Sequence, residues 1–528
     1  MAAPDHKTPV HLLLELPNEL FNDILDRLPN RDIKSLRLTC RYLGSRVPLR
    51  LDRVFISANP LNVKVFLAVA SHEVFRRQVK EIIWDDATFF PVLTQDDYDT
   101  DLGYTSDENE IHKNPKTYQF KGKISGRFVR KCKEEIYNVK SRLIDKGRDN
   151  EQQRQLDNLM PTREAFAYYN RLVQQQDNVI ESGADEQAFR YVLQESRFPH
   201  LEKVTVTPAT HGFLFFPLYD TPMIRAFPYG FVYPIPGGWN CAGDVNSVVP
   251  QPAESWNDEA GKRKWRGFCI VSRLLADPKI PHNISQLSID NHKLGAGING
   301  LVFDQFTEEY NNLCRTLERP GLKSFTLSLL MESDWDAANR NFLKKGRLRS
   351  LIAGAHALEE ITLQSDYTIN MFWNAPAVDS LFDIFPIDQW STVGRLRHFG
   401  LSGIQVKQDD LISLLGKLQP TLQSIELSFL SVIEGTGGYA GILADIRDKL
   451  GWRHRPIDKR IRVRFLVSDN QTNTGRYSCF DKGVNDYIYG DGPPPFDVDG
   501  IGGGFRMAEF GSVMEYDEFD PDFARPYL

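Results

Sequence analysis

Apolar residues near the start of the chain recur at the spacing of an amphipathic helix. The apolar positions of this first helix are Leu16, Leu20, Phe21, Ile24, Leu25 and Leu28. Pro17 suits its first turn, and Pro29 ends the pattern. A second helix is predicted to begin after Asn30, its expected N-cap, and to continue to the break at Pro48, with inward positions at Ile33, Leu36, Cys40 and Leu43. Two helices of this size cannot bury so much apolar surface alone, so the pattern indicates a partner protein.

A second pattern begins near residue 200, where the motif apolar-x-x-apolar-x-apolar occurs six times. Its copies are Leu201/Val204/Val206, Ile284/Leu287/Ile289, Leu322/Phe325/Leu327, Leu358/Ile361/Leu363, Leu396/Phe399/Leu401 and Leu422/Ile425/Leu427. Helical patterns at 301–317, 341–353 and 409–418 separate several copies, and alternation from Ile461 to Val467 predicts a last strand. Strand followed by helix resembles a leucine-rich repeat, although most of these units exceed the usual interval of about 20 to 29 residues. Separate βαβ units in a mixed α/β domain are the structural alternative.

The N-terminal pattern resembles an F-box in the order and spacing of its residues. The matching positions are Leu16-Pro17, Glu19, Leu20, Ile24-Leu25, Leu28, Pro29, Asp32-Ile33, Leu36, Leu38 and Cys40-Arg41. Thr39 and Leu43 depart from the common pattern, which has Val and an aromatic residue there. The segment 50–84 is similar to the start of many filamentous-fungal F-box proteins.

The resemblance implies a three-helix module that docks on the small adaptor subunit of SCF-type cullin-RING ubiquitin ligases, and through it on the cullin. The residues expected to bind the adaptor are Leu16, Pro17, Leu20, Ile24, Leu25, Leu28, Ile33, Leu36 and Leu43.

Together these patterns predict an α/β protein with a helical F-box followed by an irregular leucine-rich-repeat-like solenoid with loop insertions. The expected divisions are an F-box at 10–57, a helical linker region at 58–200, a repeat-like domain at 201–468 and a Gly/Pro/Asp-rich tail at 469–528. Within the linker region, an acidic and then basic stretch at about 85–148 is expected to be an insertion or loop. The acidic aromatic end of the tail, 515–520, either docks back on the array or stays disordered.

Composition narrows the class of protein. The 528 residues carry 63 Lys+Arg against 70 Asp+Glu, a net charge of −7, which gives no general attraction to nucleic acid. No apolar run is long enough to cross a membrane, and no signal peptide is apparent. The 6 cysteines are too far apart for CxxC redox or zinc motifs, so we expect a reducing compartment, the cytoplasm or the nucleus.

Sequence motifs give no support for catalysis, a metal or a cofactor. Walker A, HExxH and GxSxG sequences are missing, and the 11 histidines form no ligand-spaced pair. The stretch 295–300 reads Gly-Ala-Gly-Ile-Asn-Gly and fits GxGxxG. Because five residues, 290–294, separate it from the preceding predicted strand, a flexible loop is favoured over a nucleotide site.

One segment, 213–239, combines nine aromatic residues with five prolines. Proline at this density excludes a helix or a central strand, so the segment must be extended and its rings must be buried. Two interpretations remain open: it covers an open face of the repeat array, or it recognises a target. In the second case the expected contacts are Phe227, Tyr229, Tyr233 and Trp239, since aromatic residues dominate binding hot spots.

These observations predict a non-catalytic substrate-recognition subunit of an SCF-type ubiquitin ligase. The F-box would hold the adaptor, and the repeat region would capture a protein target of unknown identity. An interaction scaffold without a ligase role is the alternative, and an enzyme with a degenerate nucleotide site comes third.

Overall fold

The computed structural model describes residues 16–28, 30–90, 124–144, 150–239, 256, 259–330, 342–365, 380–433, 435–468, 474–496 and 513–526. Its N-terminal part is a module of three helices: α1 (Asn18–Arg27), α2 (Asn30–Thr39) and α3 (Arg41–Arg46). The single second helix expected up to Pro48 is therefore wrong. Cys40 is fully extended, with φ −158° and ψ 160°, and this residue breaks the helix into two.

Within the described residues, thirteen strands form one sheet. Nine of them are parallel and adjacent in chain order: β1 (Arg53–Ile56), β2 (Glu81–Asp85), β3 (Lys203–Thr207), β4 (Gln286–Ile289), β6 (Ser324–Leu330), β7 (Glu360–Ser365), β8 (His398–Ser402), β10 (Ser424–Ser428) and β12 (Arg462–Ser468). The short β5 (Ile298–Asn299) pairs with β6, while β9 (Gln405–Val406) and β11 (Ser431–Val432) form a separate pair. Antiparallel strands β13 (Arg476–Cys479), β14 (Met514–Asp517) and β15 (Asp520–Pro526) extend the sheet beyond β12.

The helices after the module connect these strands. They are α4 (Pro60–Ser71), α5 (Gly126–Leu143), α6 (Glu151–Asp157), α7 (Thr162–Ser182), α8 (Ala184–Gln194), α9 (Pro222–Arg225), α10 (Glu259–Lys262), α11 (Arg266–Ala276), α12 (Glu308–Leu317), α13 (Arg347–Gly354), α14 (Ile387–Val393), α15 (Gln408–Leu418), α16 (Tyr439–Ala444) and α17 (Asp481–Tyr489). Helices α11, α12 and α13 contact one another in turn, and so do α14 to α17. Their order follows that of the strands, as expected when each helix links two neighbouring parallel strands.

All six predicted copies of the apolar motif contribute a strand to the sheet. The middle positions of the six copies lie side by side in one buried row, Val204, Leu287, Phe325, Ile361, Phe399 and Ile425, which Val463 of β12 continues. The last positions form a second buried row two residues further along each strand, on the same face of the sheet. Between them, facing the other way, runs the row Thr205, Ser288, Thr326, Thr362, Gly400, Glu426 and Arg464. Apolar side chains thus face the helices, and mostly polar ones face away.

The sheet starts earlier than the sequence patterns indicated. Strands β1 and β2 precede the expected boundary at residue 201, which therefore falls inside the sheet. The expected insertion at about 85–148 also needs a correction, because Gly126–Leu143 is helix α5 and buries Phe128 and Val139 in the main core. Residues 91–123 of that insertion lie outside the described residues. The mixed α/β class is confirmed, whereas the leucine-rich-repeat solenoid stays a prediction.

The acidic end of the chain docks back on the protein. Asp517 accepts hydrogen bonds from Arg142 of α5 and, at 3.2 Å, from Nε of Arg476, and all three side chains are buried. Next to it, Glu518 Oε2 accepts a 2.8 Å hydrogen bond from Nζ of Lys293 in the loop after β4. Of the two alternatives for 515–520, docking is the one observed. The buried carboxylates of Asp517 and Glu518 are compensated by cationic partners from other parts of the chain, as buried charges require.

Candidate functional site

The three-helix module has an apolar interior of its own. Its buried residues are Phe21, Leu25, Ile33, Leu43 and Val47, and they form a cluster separate from the main core. Phe21 and Leu25 lie one turn apart on α1, so the buried side of this helix is defined by that pair. The module is therefore a packed unit in itself, not a pair of helices lying on the sheet.

Polar groups fix the ends of these helices. The guanidinium of Arg50 donates hydrogen bonds to the carbonyls of Leu25 and Asp26, at 2.5 and 2.9 Å, and to that of Leu28. A cation at this position satisfies carbonyls that the helix leaves free and complements its dipole. Asn30 was expected to cap α2, but it is the first residue of the helix and its side chain bonds the backbone of Arg50. Together, Arg50 and Asn30 tie the end of α1 to the start of α2.

The module leaves apolar side chains in solvent. Leu20 is 54% exposed and Ile24 is 37% exposed, and they lie one turn apart on α1, away from Phe21 and Leu25. Leu38 of α2 and Tyr42 of α3 are also exposed. Large apolar residues held outside a completed core are typical of a protein-binding surface.

The residues expected to bind the adaptor thus divide into three groups. Pro17, Leu20 and Ile24 are exposed, whereas Leu16, Leu28 and Leu36 are partly buried against the module core. Leu25, Ile33 and Leu43 are interior residues. Their side chains pack in the interior cluster of the module, so they support the exposed surface but are not part of it.

The Pro/aromatic segment 213–239 is not extended throughout, because it contains turns and the short helix α9 (Pro222–Arg225), but most of its rings are buried as predicted. Trp239 is fully buried, and its indole Nε1 donates a 2.8 Å hydrogen bond to Oδ2 of Asp86. Asp86 also accepts from the backbone N–H groups of Gly267 and Phe268, at the start of α11. Tyr233 is buried too, against Phe231. The core encloses the ring of Trp239 and leaves no surface for the expected contact with a target, whereas the buried ring of Tyr233 lies at the base of the cleft described next.

Phe227 and Tyr229 differ from those two residues, since Phe227 is half-buried and Tyr229 is exposed. Both line a cleft of about 470 Å³ between this segment, α6 and β15, which we name the aromatic cleft. Its other aromatic lining residues are Phe213, Phe215, Phe216, Phe231, Tyr233 and Phe519. Phe519 packs edge-on against Phe213, with ring centroids 4.9 Å apart, so the docked C-terminal hairpin forms one wall.

Buried polar groups lie beneath the aromatic cleft. Nδ1 of His211 is 3.1 Å from the hydroxyl of Tyr233, and Nε2 is 4.0 Å from Oδ2 of Asp85. Burial raises the pKa of Asp85 to about 7 and lowers that of His211 to about 3, because both lose the hydration of their charged forms. Burial likewise raises the pKa of Asp86 to about 6. Burial therefore favours the neutral forms of Asp85 and His211.

The glycine motif at 295–300 is a packed element, so the expectation of a flexible loop is wrong. Ile298 and Asn299 form strand β5, and the carbonyl of Gly297 accepts a 2.9 Å hydrogen bond from the indole of Trp265. A Cβ on Gly297 would lie 2.3 Å from the backbone of Leu329. The glycine is needed for this close approach of two chain segments, which is a packing requirement and not a phosphate-binding one.

The part of the chain that the structure describes offers no cluster of three or more His, Cys, Asp or Glu side chains able to hold a metal ion. Nor does any helix within the described ranges have the length and apolar character needed to cross a membrane.

Comparison with known proteins agrees with the geometry of the module. No curated protein matches the chain. The family model of the F-box domain matches residues 13–47, which include α1, α2 and α3. The chain therefore carries an F-box domain.

Proposed function

We propose that this protein is a substrate-recognition adaptor of an SCF-type cullin-RING ubiquitin ligase. Its F-box docks the adaptor subunit and thereby the cullin, while the α/β region captures a protein target. The observation that carries the proposal is the F-box match at residues 13–47, over a module that keeps Leu20 and Ile24 exposed. The chain itself is a non-catalytic subunit that acts in the cytoplasm or the nucleus.

The docking surface is built on α1. Leu20 and Ile24 supply its apolar contacts, Pro17 immediately precedes the helix, and the interior residues Leu25 and Ile33 hold it in place. Burying a leucine or isoleucine side chain completely stabilises a complex by about 1.5 to 3 kcal/mol before ordering costs. Partly buried Leu16, Leu28 and Leu36, together with interior Leu43, complete the set of residues on which docking depends.

Target capture belongs to the region beyond the F-box. A ligase subunit of this kind raises the effective concentration of its target beside the ubiquitin-conjugating enzyme. The parallel strands and the docked C-terminal hairpin form one continuous sheet, so this region is a rigid support for recognition. We assign it to a divergent leucine-rich-repeat type found in fungal F-box proteins.

Reconstitution tests the ligase role against the scaffold alternative. The full chain is expressed with the adaptor subunit, the cullin and the RING subunit, and ubiquitin on lysines of co-purifying proteins is measured by mass spectrometry. A ligase subunit gives lysine-linked ubiquitin on bound partners, and this signal disappears when the F-box is deleted. Partners that bind equally well and carry no ubiquitin in either case would support the scaffold and contradict the proposal.

A further inference from the structure

The aromatic cleft combines aromatic walls with a rim of carboxylates. We propose that it binds a lysine- or arginine-bearing extended segment of a target protein. This inference rests on the proposed function for the identity of its occupant, but the binding chemistry can be tested separately. The cleft of about 470 Å³ falls within the range of roughly 300 to 1,000 Å³ that is usual for ligand sites.

The walls consist of closely packed aromatic rings, of which those of Phe215, Phe227 and Tyr229 reach solvent. Phe231 and Tyr233 are stacked, with centroids 4.8 Å apart and an interplanar angle of 11°. Phe227 stands edge-on to both, at 5.3 and 5.2 Å. Ring faces carry negative electrostatic potential, so they attract Lys and Arg cations as well as the methylene stems of those side chains.

The charge around the cleft is negative. Its lining includes the exposed carboxylates of Glu151, Asp220 and Asp522 and no lysine or arginine among the described residues, while the buried carboxylate of Asp520 interacts with Arg142 behind the wall. Glu151 lies 3.7 Å from Arg154, and Asp220 lies 4.0 Å from Arg225, but these pairs are exposed and weak. Asp522 has no ion-pair partner within the described chain and is exposed. The rim thus complements a cation and would repel an acidic peptide.

The floor of the cleft carries no positive charge from His211 that would repel a cation. His211 lines it, and burial lowers the pKa of its imidazole to about 3, so this side chain is neutral at physiological pH. Among the described residues, its buried Nε2 has no hydrogen-bond partner, the nearest carboxylate oxygen being 4.0 Å away on Asp85. A protonated histidine here would have repelled a basic side chain.

One residue that lines the cleft, Phe215, has a strained backbone conformation. Phe215 has φ 63°, in the left-handed region that non-glycine residues rarely adopt. The turn that contains it is closed by reciprocal hydrogen bonds between the backbones of Phe213 and Phe216, at 3.1 and 2.8 Å. The ring of Phe215 remains partly exposed, so complete burial of the side chain does not compensate for the cost of this backbone conformation. Strained residues of this kind are typical of ligand-binding sites.

A pair of matched peptides tests the proposal on the full chain. One fluorescent peptide carries three arginines in an alanine and glutamine background, and the other carries neutral citrulline at the same positions. Fluorescence polarisation is expected to show binding about tenfold or more tighter for the arginine peptide. Equal affinity for the citrulline peptide would overturn the proposal.

Charge variants separate the cleft from general surface attraction. Combined Glu151→Gln, Asp220→Asn and Asp522→Asn should weaken arginine-peptide binding by about tenfold. The control combines Asp448→Asn, Asp458→Asn and Asp491→Asn, which makes the same change in net charge outside the cleft. An equal loss in both triple variants would mean that binding is non-specific, and it would overturn the assignment to the cleft.

Phe215→Gly removes a wall ring and also relieves the left-handed backbone, so the fold should keep its unfolding midpoint while peptide binding weakens. Unchanged peptide binding in this variant would contradict the assignment of peptide binding to the aromatic cleft.

Leu20→Glu serves to distinguish the two proposals, because it should block adaptor docking and leave peptide affinity unchanged. If adaptor docking fails in the parent chain while arginine-peptide binding persists, the ligase proposal is wrong and the cation-binding cleft stands.

Discussion

Leu20 and Phe21 are neighbours on α1, yet Phe21 is 2% exposed and Leu20 is 54% exposed. Phe21 packs in the interior of the module with Leu25, while Leu20 and Ile24 stay on the outer face of the same helix. Folding and docking therefore depend on different residues of one helix, so that each can be changed without the other.

We expect Leu20→Glu and Ile24→Glu to abolish co-purification with the adaptor subunit. A charge placed in an apolar interface has no partner there, and its desolvation opposes binding. Thermal unfolding followed by circular dichroism should be unchanged, because both side chains already contact solvent. Val74→Glu, at another exposed apolar residue outside the module, is the matched control and should bind normally.

Phe21→Ala is the contrasting variant, since it removes a buried ring and should destabilise the module by about 3 to 5 kcal/mol. Retained adaptor binding in both Leu20→Glu and Ile24→Glu would rule out α1 as the docking surface.

The buried ion pairs of Asp517 should stabilise the docked C-terminal hairpin. Asp517→Asn keeps the shape of the side chain but leaves Arg142 and Arg476 buried without this counter-charge. We expect the free energy of unfolding in urea to fall by about 3 to 5 kcal/mol. Asp458→Asn, at an exposed carboxylate, should change it by less than about 0.5 kcal/mol. If the two variants are equally stable, the hairpin is not held by these charges.

The buried carboxyl of Asp85 predicts a pH dependence of stability. Its pKa is raised by burial to about 7, against 3.8 in an unfolded chain. Between these values the folded state holds a proton that the unfolded state has released, so the contribution of Asp85 to stability falls as the pH rises. An asparagine side chain cannot ionise, and thus Asp85→Asn should gain stability relative to the parent from pH 4 to 8, by up to about 4 kcal/mol.

Urea unfolding of both proteins across this pH range measures the difference. His211 is unchanged in the variant, so its own titration, with the pKa lowered by burial to about 3, largely cancels in the comparison. The opposite sign, a variant that loses stability as the pH rises, would show that Asp85 is ionised beside a protonated His211.

Gly297→Ala is expected to destabilise the fold by at least about 1 to 3 kcal/mol, because the added Cβ meets backbone atoms that cannot move independently. Gly321→Ala is a matched control, since its Cβ would meet no atom within 4 Å. Urea midpoints of the two variants give the comparison. Equal midpoints would mean that the segments at β5 and β6 separate easily, and would reopen a ligand-binding role for the glycine motif.

Local patterns predicted much of the secondary structure. The motif at Phe325 and Leu327 repeats in its neighbours, and the middle and last positions of every copy lie on a strand. The helix patterns of 301–317, 341–353 and 409–418 likewise overlap α12, α13 and α15. The break at Cys40 was missed because an apolar spacing that continues through a bend looks the same as one in a continuous helix.

By itself, the sequence determined the kinds of element, the faces they would bury and the presence of an F-box, since periodicity and residue order are local properties of the chain. Tertiary structure alone decided which members of an apolar helix remain exposed, as with Leu20 against Leu25. It also decided that Trp239 reaches Asp86, and that Asp517 reaches Arg142. Such contacts join residues more than a hundred positions apart, and they depend on how the whole sheet brings its loops together.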